Sequence, residues 1–441
     1  MPRASARVLI ILTALNALAY FDRQILALFA NDVKLSLGLT DLQLGLLQGF
    51  AFITSYIVLG IPFGLWSDKG SRRLVVWVGT SIWSVATFMC GVAGSYLQLF
   101  AARMGVGAGE AALTPVAYSM ISASCPREKL GRALSIFHIG SLIGASAAFF
   151  LGSGLLLLAD NVRSALPILS SRVDWQVAFM LIGAPGVLLA FAAFLLPRRA
   201  GEIGGDQRAE AGIAQDGNAR AVSGFVRGNM GYIGCHYVGF GLVTLLAYGA
   251  QAWMASILIR TFHWSVGEAG LVLGAVILVT GILGNYGSGV INDRLWASGK
   301  GDSAFIYGMA STLVIAIACP IALFVDHSIA VVTGYAILAL MTNQIGSAGA
   351  HLQHTTPTPL RGRISASFIV TIYIIGIIFG PASVGFVSDV VVGDEVELNR
   401  SLALVCLTIA PIAALIFGMG RKFARGAAQA AATRDADHSY G

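Results

Sequence analysis

Four ionisable residues stand inside apolar stretches of this chain, in two pairs. Asp22 and Arg23 interrupt the run from Val8 to Ala30, within Ala19-Tyr20-Phe21-Asp22-Arg23-Gln24, and Arg103 and Glu110 interrupt a later one, within R-M-G-V-G-A-G-E. A charge at bilayer depth costs at least about 2.5–3.5 kcal/mol on insertion scales, so it is retained with a partner or a purpose. Two guanidinium groups can recognise an anion. A buried carboxylate short of compensating partners can carry a proton. The alternative is a pair of buried salt bridges locking two helices together, and desolvation offsets most of what such a lock gains.

The elements that hold these residues follow from composition. The 441 residues are 56% hydrophobic and 11% charged, against roughly 45–50% and about 25% in soluble domains. One globular core cannot hide that imbalance, so the sequence predicts a polytopic membrane protein. The formal charge of +6 invites a nucleic-acid reading, but the placement of the basic residues makes it a topology signal. The five cysteines are scattered, with no metal-ligand spacing, and read as small core residues. No cofactor or metal is expected. Residues 1–19 look like a signal peptide, but the apolar run continues to Ala30, long enough to span, and is expected to stay uncleaved.

Apolar segments of about 20 residues predict spans near 8–30, 42–66, 74–94, 96–121, 132–158 and 176–196, then 229–258, 268–291, 303–325, 329–354, 364–388 and 401–419. The expected domains are an N-terminal six-helix bundle over 1–196, a solvated linker over 197–228, a C-terminal six-helix bundle over 229–420 and a tail over 421–441, disordered from 426. All but seven of the 28 lysines and arginines fall on the side of the termini; Lys34, Arg163, Arg172, Arg260 and Arg400 fall on the other side, and Arg23 and Arg103 within spans. Both termini are therefore expected in the cytoplasm, and the protein in the inner membrane.

That topology sets depths. Counted from the outer ends, Arg23 lies seven residues deep, Asp22 eight, Arg103 seven and Glu110 fourteen. At about 1.5 Å per residue the first three are level and Glu110 is one to two turns deeper. Asp22 and Arg23, being consecutive, diverge by about 100° and cannot share a face, whereas Arg103 and Glu110, two turns apart, do. Asp22 can then pair with Arg103, leaving Glu110 to face Arg23 or a cavity. Glu110, the deeper acid, is the first candidate for proton coupling and Asp22 the second. Gly105, Gly107 and Gly109 read as places where helices approach closely. Gly60/Gly64, Gly140/Gly144 and Gly376/Gly380 read as packing faces, with a kink at Pro381.

The halves echo one another. Gly64-Leu65-Trp66-Ser67-Asp68-Lys69-Gly70-Ser71-Arg72-Arg73 follows the second span, and Gly289-Val290-Ile291-Asn292-Asp293-Arg294 follows the eighth. Pro126, Gly131 and Arg132 precede the fifth, and Pro359, Gly362 and Arg363 the eleventh. Two matched motifs in the same order indicate a duplicated six-helix unit.

G-x-x-x-D-K-G-S-R-R, with its weaker copy, resembles the loop signature of the major facilitator superfamily. Within it, A-Y-F-D-R-Q together with R-M-G-V-G-A-G-E-A is similar to the Spinster-type lipid transporters; the anion:cation symporters share a related Tyr-x-Asp-Arg and Glu-Ala. The resemblance implies an all-α membrane fold, twelve helices in two pseudo-symmetric six-helix bundles rocking about a midplane site. It implies gating by Asp68 with Arg72 and Arg73 and the helix start at Arg361 and Arg363, mirrored by Asp293 and Arg294 with Arg132. The expected substrate is an amphipathic anionic lipid, a lysophospholipid or sphingoid phosphate, moved by proton-coupled alternating access. Arg23 and Arg103 would meet its head group, with Tyr20 and His138 beside them. The second half offers neutral candidates, Tyr237, Gln251, Asn343 and Tyr373, and so would supply shape and apolar surface. Protons and membrane lipids are the expected partners, nucleic acid is not, and the protein is expected to be a monomer. The rivals are a proton symporter of small organic anions, such as sugar acids or aromatic acids, and a non-transporting receptor, which would need no rocking latch. An enzyme is disfavoured because no nucleophile–base or metal spacing is present.

Overall fold

The computed structural model describes residues 3–69, 71–125, 127–196 and 215–439, with side chains over 5–67, 71–125, 129–196 and 220–433. Arg3–Leu28 forms α1, Ala30–Leu37 α2, Asp41–Gln48 α3, Phe50–Lys69 α4, Arg72–Val92 α5, Tyr96–Glu110 α6, Leu113–Ser124 α7, Arg127–Ala165 α8 and Asp174–Leu189 α9. Gln215–Gly228 forms α10, Met230–Phe262 α11, Val266–Ala297 α12, Ser303–Phe324 α13, Ser328–Thr342 α14, Ile345–Thr355 α15, Arg361–Tyr373 α16, Phe379–Phe386 α17 and Leu398–Ser439 α18. Helices are what a bilayer demands, because each satisfies its own backbone hydrogen bonds where no water is present.

Among the described residues, eleven spans are long and apolar enough to cross a membrane. The remaining expected one, helix 4 of the sequence reading, is α6 and α7 in succession, separated by a turn at Ala111 and Ala112. Glu110 is the last residue of α6. The interruption therefore falls at the carboxylate that the sequence singles out.

The chain divides into two compact units, one of Met1–Asp206 with Ala252–Leu278 and one of Gln207–Gln251 with Val279–Gly441. In the first, α1 packs on α8, and α6 on α4 and α5. Gly140 and Gly144 of α8 face Thr13 and Ala17 of α1, leaving no room for a side chain. Gly60 and Gly64 have the same spacing, but among the described residues nothing stands within 4 Å of where their side chains would begin, so no packing face is formed there by those residues. In the second unit α13 packs on α14 and α18. Gly376 and Gly380 meet Thr244 and Leu245 of α11. The helix widens into a π-turn over Ile374–Ile378 before α17, because the ring of Pro381 collides with the carbonyl four residues earlier.

Two stretches differ from expectation. Residues 197–214 of the expected linker lie outside the described residues, but the rest of it forms α10. Val222, Phe225 and Val226, a helical stripe, seat it against a core built around Tyr232, Phe305 and Phe417. Residues 421–439, read as a tail, continue α18. Alanine favours the helix, Ala424, Ala427 and Ala431 are buried, and Arg421 Nε and Arg425 Nε bind Asp302 Oδ2 at 2.7 and 3.1 Å. Burial of the Asp302 carboxyl acts to raise its pKa, but the hydrogen bonds from Arg425 and Arg421 outweigh it and hold the group below the usual carboxylate range.

Candidate functional site

α1 and α6 bring the two ionisable pairs into one buried cluster. Arg23 Nη2 donates to Glu110 Oε2 at 2.5 Å, the side chains being 11% and 2% exposed. The Arg23 guanidinium also lies 4.2 Å from the centre of the Phe52 ring, 4.5 Å from Tyr20 and 5.9 Å from Tyr56, where ring quadrupoles favour a cation. Asp22 accepts at Oδ2 from Thr87 Oγ1 at 3.2 Å, while its Oδ1 has no hydrogen-bond partner among the described residues. Arg103 is 1% exposed, and none of its three guanidinium nitrogens has a hydrogen-bond partner among them. Asp22 and Arg103 are close enough to interact electrostatically. Of the two pairings the helix depths permit, Arg23 with Glu110 is made. Asp22 with Arg103 is not made as a hydrogen bond: Thr87 of α5 donates to Asp22 Oδ2, while Asp22 Oδ1 and the Arg103 guanidinium each lack a hydrogen-bond partner among the described residues.

The alternate glycines of α6 explain how its charges reach α1. Gly105 faces Ala86, Gly107 faces the Phe52 carbonyl and Ser55, and Gly109 faces Gly79 and Trp83. Ser55 Oγ donates to the Met104 carbonyl at 2.6 Å, tying α4 to α6 at the same level. α6 is thus clasped between α4 and α5, which fixes the Arg103–Glu110 face. Gly107→Ala drives a methyl group into the Phe52 backbone. We expect it to destabilise the protein by about 1–3 kcal/mol, read as a lower melting temperature in detergent, whereas Gly60→Ala leaves the melting temperature unchanged.

His138 Nε2 and Tyr118 Oη share a hydrogen bond of 2.7 Å, and Tyr56 Oη one of 3.1 Å with Thr114 Oγ1. Phe52, Tyr56, Thr87, Thr114 and Tyr118 are the residues around the cluster that sequence reasoning missed. Thr114 and Tyr118 follow Glu110 at intervals of four, a periodicity that could have found them. Thr87 carries no such signal.

In the second unit, Tyr237 Oη donates to the Ile364 carbonyl and shares a hydrogen bond with Ser367, both at 2.8 Å. Asn343 accepts from Asn285 Nδ2 at 3.3 Å and, through its carbonyl, from Ser288 Oγ at 3.0 Å. Gln251 and Tyr373 are half-buried. Among the gating candidates, Arg132, Asp293, Arg294 and Arg363 are exposed, and Arg72, Arg73 and Arg361 half-buried. Arg73 lies 5.5 Å from the centre of the Phe194 ring, and Arg361 Nε donates to the Thr356 carbonyl at 3.1 Å. The Asp68 side chain lies outside the described residues.

The chain matches the Major Facilitator Superfamily over residues 12–381. It is 26% identical over 422 residues to an MFS-type efflux pump of Mycolicibacterium smegmatis, covering 94% of this chain and 92% of that protein. It is 26% identical over 408 residues to protein spinster homolog 1 of Homo sapiens, covering 88% and 74%. Its fold is similar to the crystal structure of a bacterial homolog of the human lysosomal transporter Spinster, in an inward-facing and unoccupied conformation, with a TM-score of 0.82 and 22% identity over 97% of this chain and 98% of that one. A chain that matches this family over most of its length is a membrane transporter and not an enzyme. The chain belongs to the Major Facilitator Superfamily, and within it resembles the Spinster-type transporters.

Proposed function

We propose that this transporter moves an amphipathic anion with a lipid-like apolar part, a lysophospholipid or sphingoid phosphate, by alternating access coupled to protons. The observation that supports it is the uneven satisfaction of the buried cluster: Glu110 neutralises Arg23, whereas Arg103 has no hydrogen-bond acceptor among the described residues. Two acids and two bases balance when all are ionised. A proton on Glu110 cancels its charge and loosens the bridge to Arg23, so the cluster becomes net positive. An anionic head group restores the balance, with the two guanidinium groups as donors and Tyr20 and His138 beside them. Proton and anion then strengthen each other's binding, as linkage requires. Asp22 serves as the second proton site. The lipid-like tail is supported by the Spinster resemblance of the α1 and α6 motifs, and the loop motifs around Asp68 and Asp293 take the gating role. The protein acts as a single chain in the inner membrane with both termini in the cytoplasm, following its basic residues.

Uptake into reconstituted vesicles tests this, with lysophospholipids, sphingoid phosphates, sugar acids and aromatic acids offered in turn, with and without a pH gradient. Lysolipid or sphingoid phosphate flux that rises with the gradient is the expected result. Gradient-driven flux of sugar or aromatic acids alone would keep the coupling and remove the lipid. No flux of any anion would remove the reading.

A further inference from the structure

A second buried ion cluster lies at the end of the first unit remote from the N-terminus of α1. Asp41, fully buried, accepts from Lys34 Nζ at 2.6 Å and from Arg260 Nη1 at 2.8 Å on the same oxygen. Arg260 Nε donates to Asn31 Oδ1 at 2.9 Å, and its guanidinium lies 5.9 Å from the centre of the Trp253 ring. The side chains of Lys34 and Arg260 are 5% and 8% exposed. The local backbone is built for this: Gly38, at φ 62°, turns the chain out of α2, and Thr40 caps α3 with a reciprocal Gln43 bond, which sets Asp41 on the first turn opposite Lys34.

Arg260 comes from far along the sequence. It sits in the last turn of α11, one continuous helix that changes allegiance at Gln251 and Ala252: its earlier part belongs to the second unit and its later part, with the beginning of α12, to the first. The tip of this hairpin turns at His263, with φ 56°. On the α12 side, Gly270 meets the Phe149 carbonyl and Gly274 the Phe150 ring. The hairpin tip is thus held to the first unit by glycine packing on one arm and by Arg260 on the other.

We propose that Asp41 and Arg260 form an outer latch, which clasps the α11–α12 tip and stabilises the state closed on that side. The inference rests on the alternating-access reading, under which this tip must leave the first unit once in each cycle. The charges suit a contact that is made and broken. When Arg260 departs into water, Asp41 keeps Lys34, seven residues away across the Gly38 turn, so no buried carboxylate is stranded. Arg260 is the moving group and Lys34 the resident counter-ion. A lock meant to be permanent would need no second cation.

Ser256, 1% exposed, lies one helical turn before Arg260 on the same face, so a cysteine there reports departure of the tip. In Ser256→Cys, labelling by a membrane-impermeant maleimide from the outer side should be slow, with the parent protein giving the background of the native cysteines. Adding Arg260→Gln, which leaves the Lys34–Asp41 pair intact and so spares folding, should raise the rate at least tenfold. Arg260→Lys and Lys34→Met should each leave it within about twofold. Unchanged labelling with Arg260→Gln, in protein that elutes as one symmetrical peak, would overturn the latch. A rise as large with Lys34→Met would overturn the division of roles. Uptake by the parent is measured alongside: normal transport with unchanged labelling removes the latch alone, and faster labelling in a protein that carries no anion keeps the latch and removes the carrier reading.

Discussion

Glu110→Gln is expected to abolish gradient-driven transport, by at least a hundredfold in initial rate, in a protein that still folds and still binds its substrate in part. Glutamine keeps the length and shape of the side chain and can still accept from Arg23, so the contact at Glu110 Oε2 is preserved in weaker, uncharged form. What it cannot do is gain and lose a proton. In the wild-type protein the other oxygen, Oε1, is buried without a hydrogen-bond partner among the described residues, which leaves a lone pair to receive one. The variant mimics the protonated state permanently: Arg23 stays loosened, the anion binds, and the return leg stalls. Counterflow of labelled substrate without a gradient should survive better than net uptake. Gradient-driven flux equal to wild type would take Glu110 out of the coupling.

Arg103→Met is expected to separate function from stability, and its sign is the informative part. A buried salt bridge that holds a fold costs about 3–5 kcal/mol when one partner is removed. Arg103 donates no hydrogen bond to a described residue, so its removal breaks none of those bonds, and methionine fills the volume with apolar atoms. Asp22 keeps Thr87 and takes up a proton in place of the lost cation. The melting temperature in detergent should therefore hold or rise, while transport falls at least a hundredfold and substrate affinity at least tenfold. Arg103→Lys should bind between the two, because the charge remains and the planar fork is lost. A melting temperature lowered to the extent of several kcal/mol, with affinity kept, would make Arg103 a lock between helices.

The sequence and the structure agree most closely where one helix suffices to make the argument. That Asp22, Arg23, Arg103 and Glu110 stand in apolar runs was legible because charge in such a run is rare, and the structure gathers them into one buried cluster. The choice of partner was not legible. It depends on which neighbour faces which, and Thr87, an ordinary threonine in an apolar run, gave no hint that it would take the Asp22 oxygen. Identical patterns also met different fates: Gly140 and Gly144 lie against α1, while Gly60 and Gly64 meet nothing among the described residues. Spacing shows that a helix can be approached closely, and only the fold shows whether anything approaches. Arg260, read as one of a few outer-loop charges, proved to be buried against Asp41, because distance along the chain hides a contact between residues 219 positions apart.

The turn at Ala111 and Ala112 has a mechanical consequence. At this point Ala112 N–H bonds to Gly109, three residues back, rather than four, so the hydrogen-bond ladder is interrupted between α6 and α7 although both junction residues keep helical dihedrals. α6 is clamped by its glycines and carries Arg103 and Glu110; α7 carries Thr114 and Tyr118 and has no glycine of its own. A continuous span would drag its charges along whenever its far end shifted. A ladder interrupted just past Glu110 would, on the proposed reading, let α7 yield to cargo of different bulk while Arg103 and Glu110 stay in place. On the proposed reading, the protein is strict about the charge of what it carries and tolerant of its length.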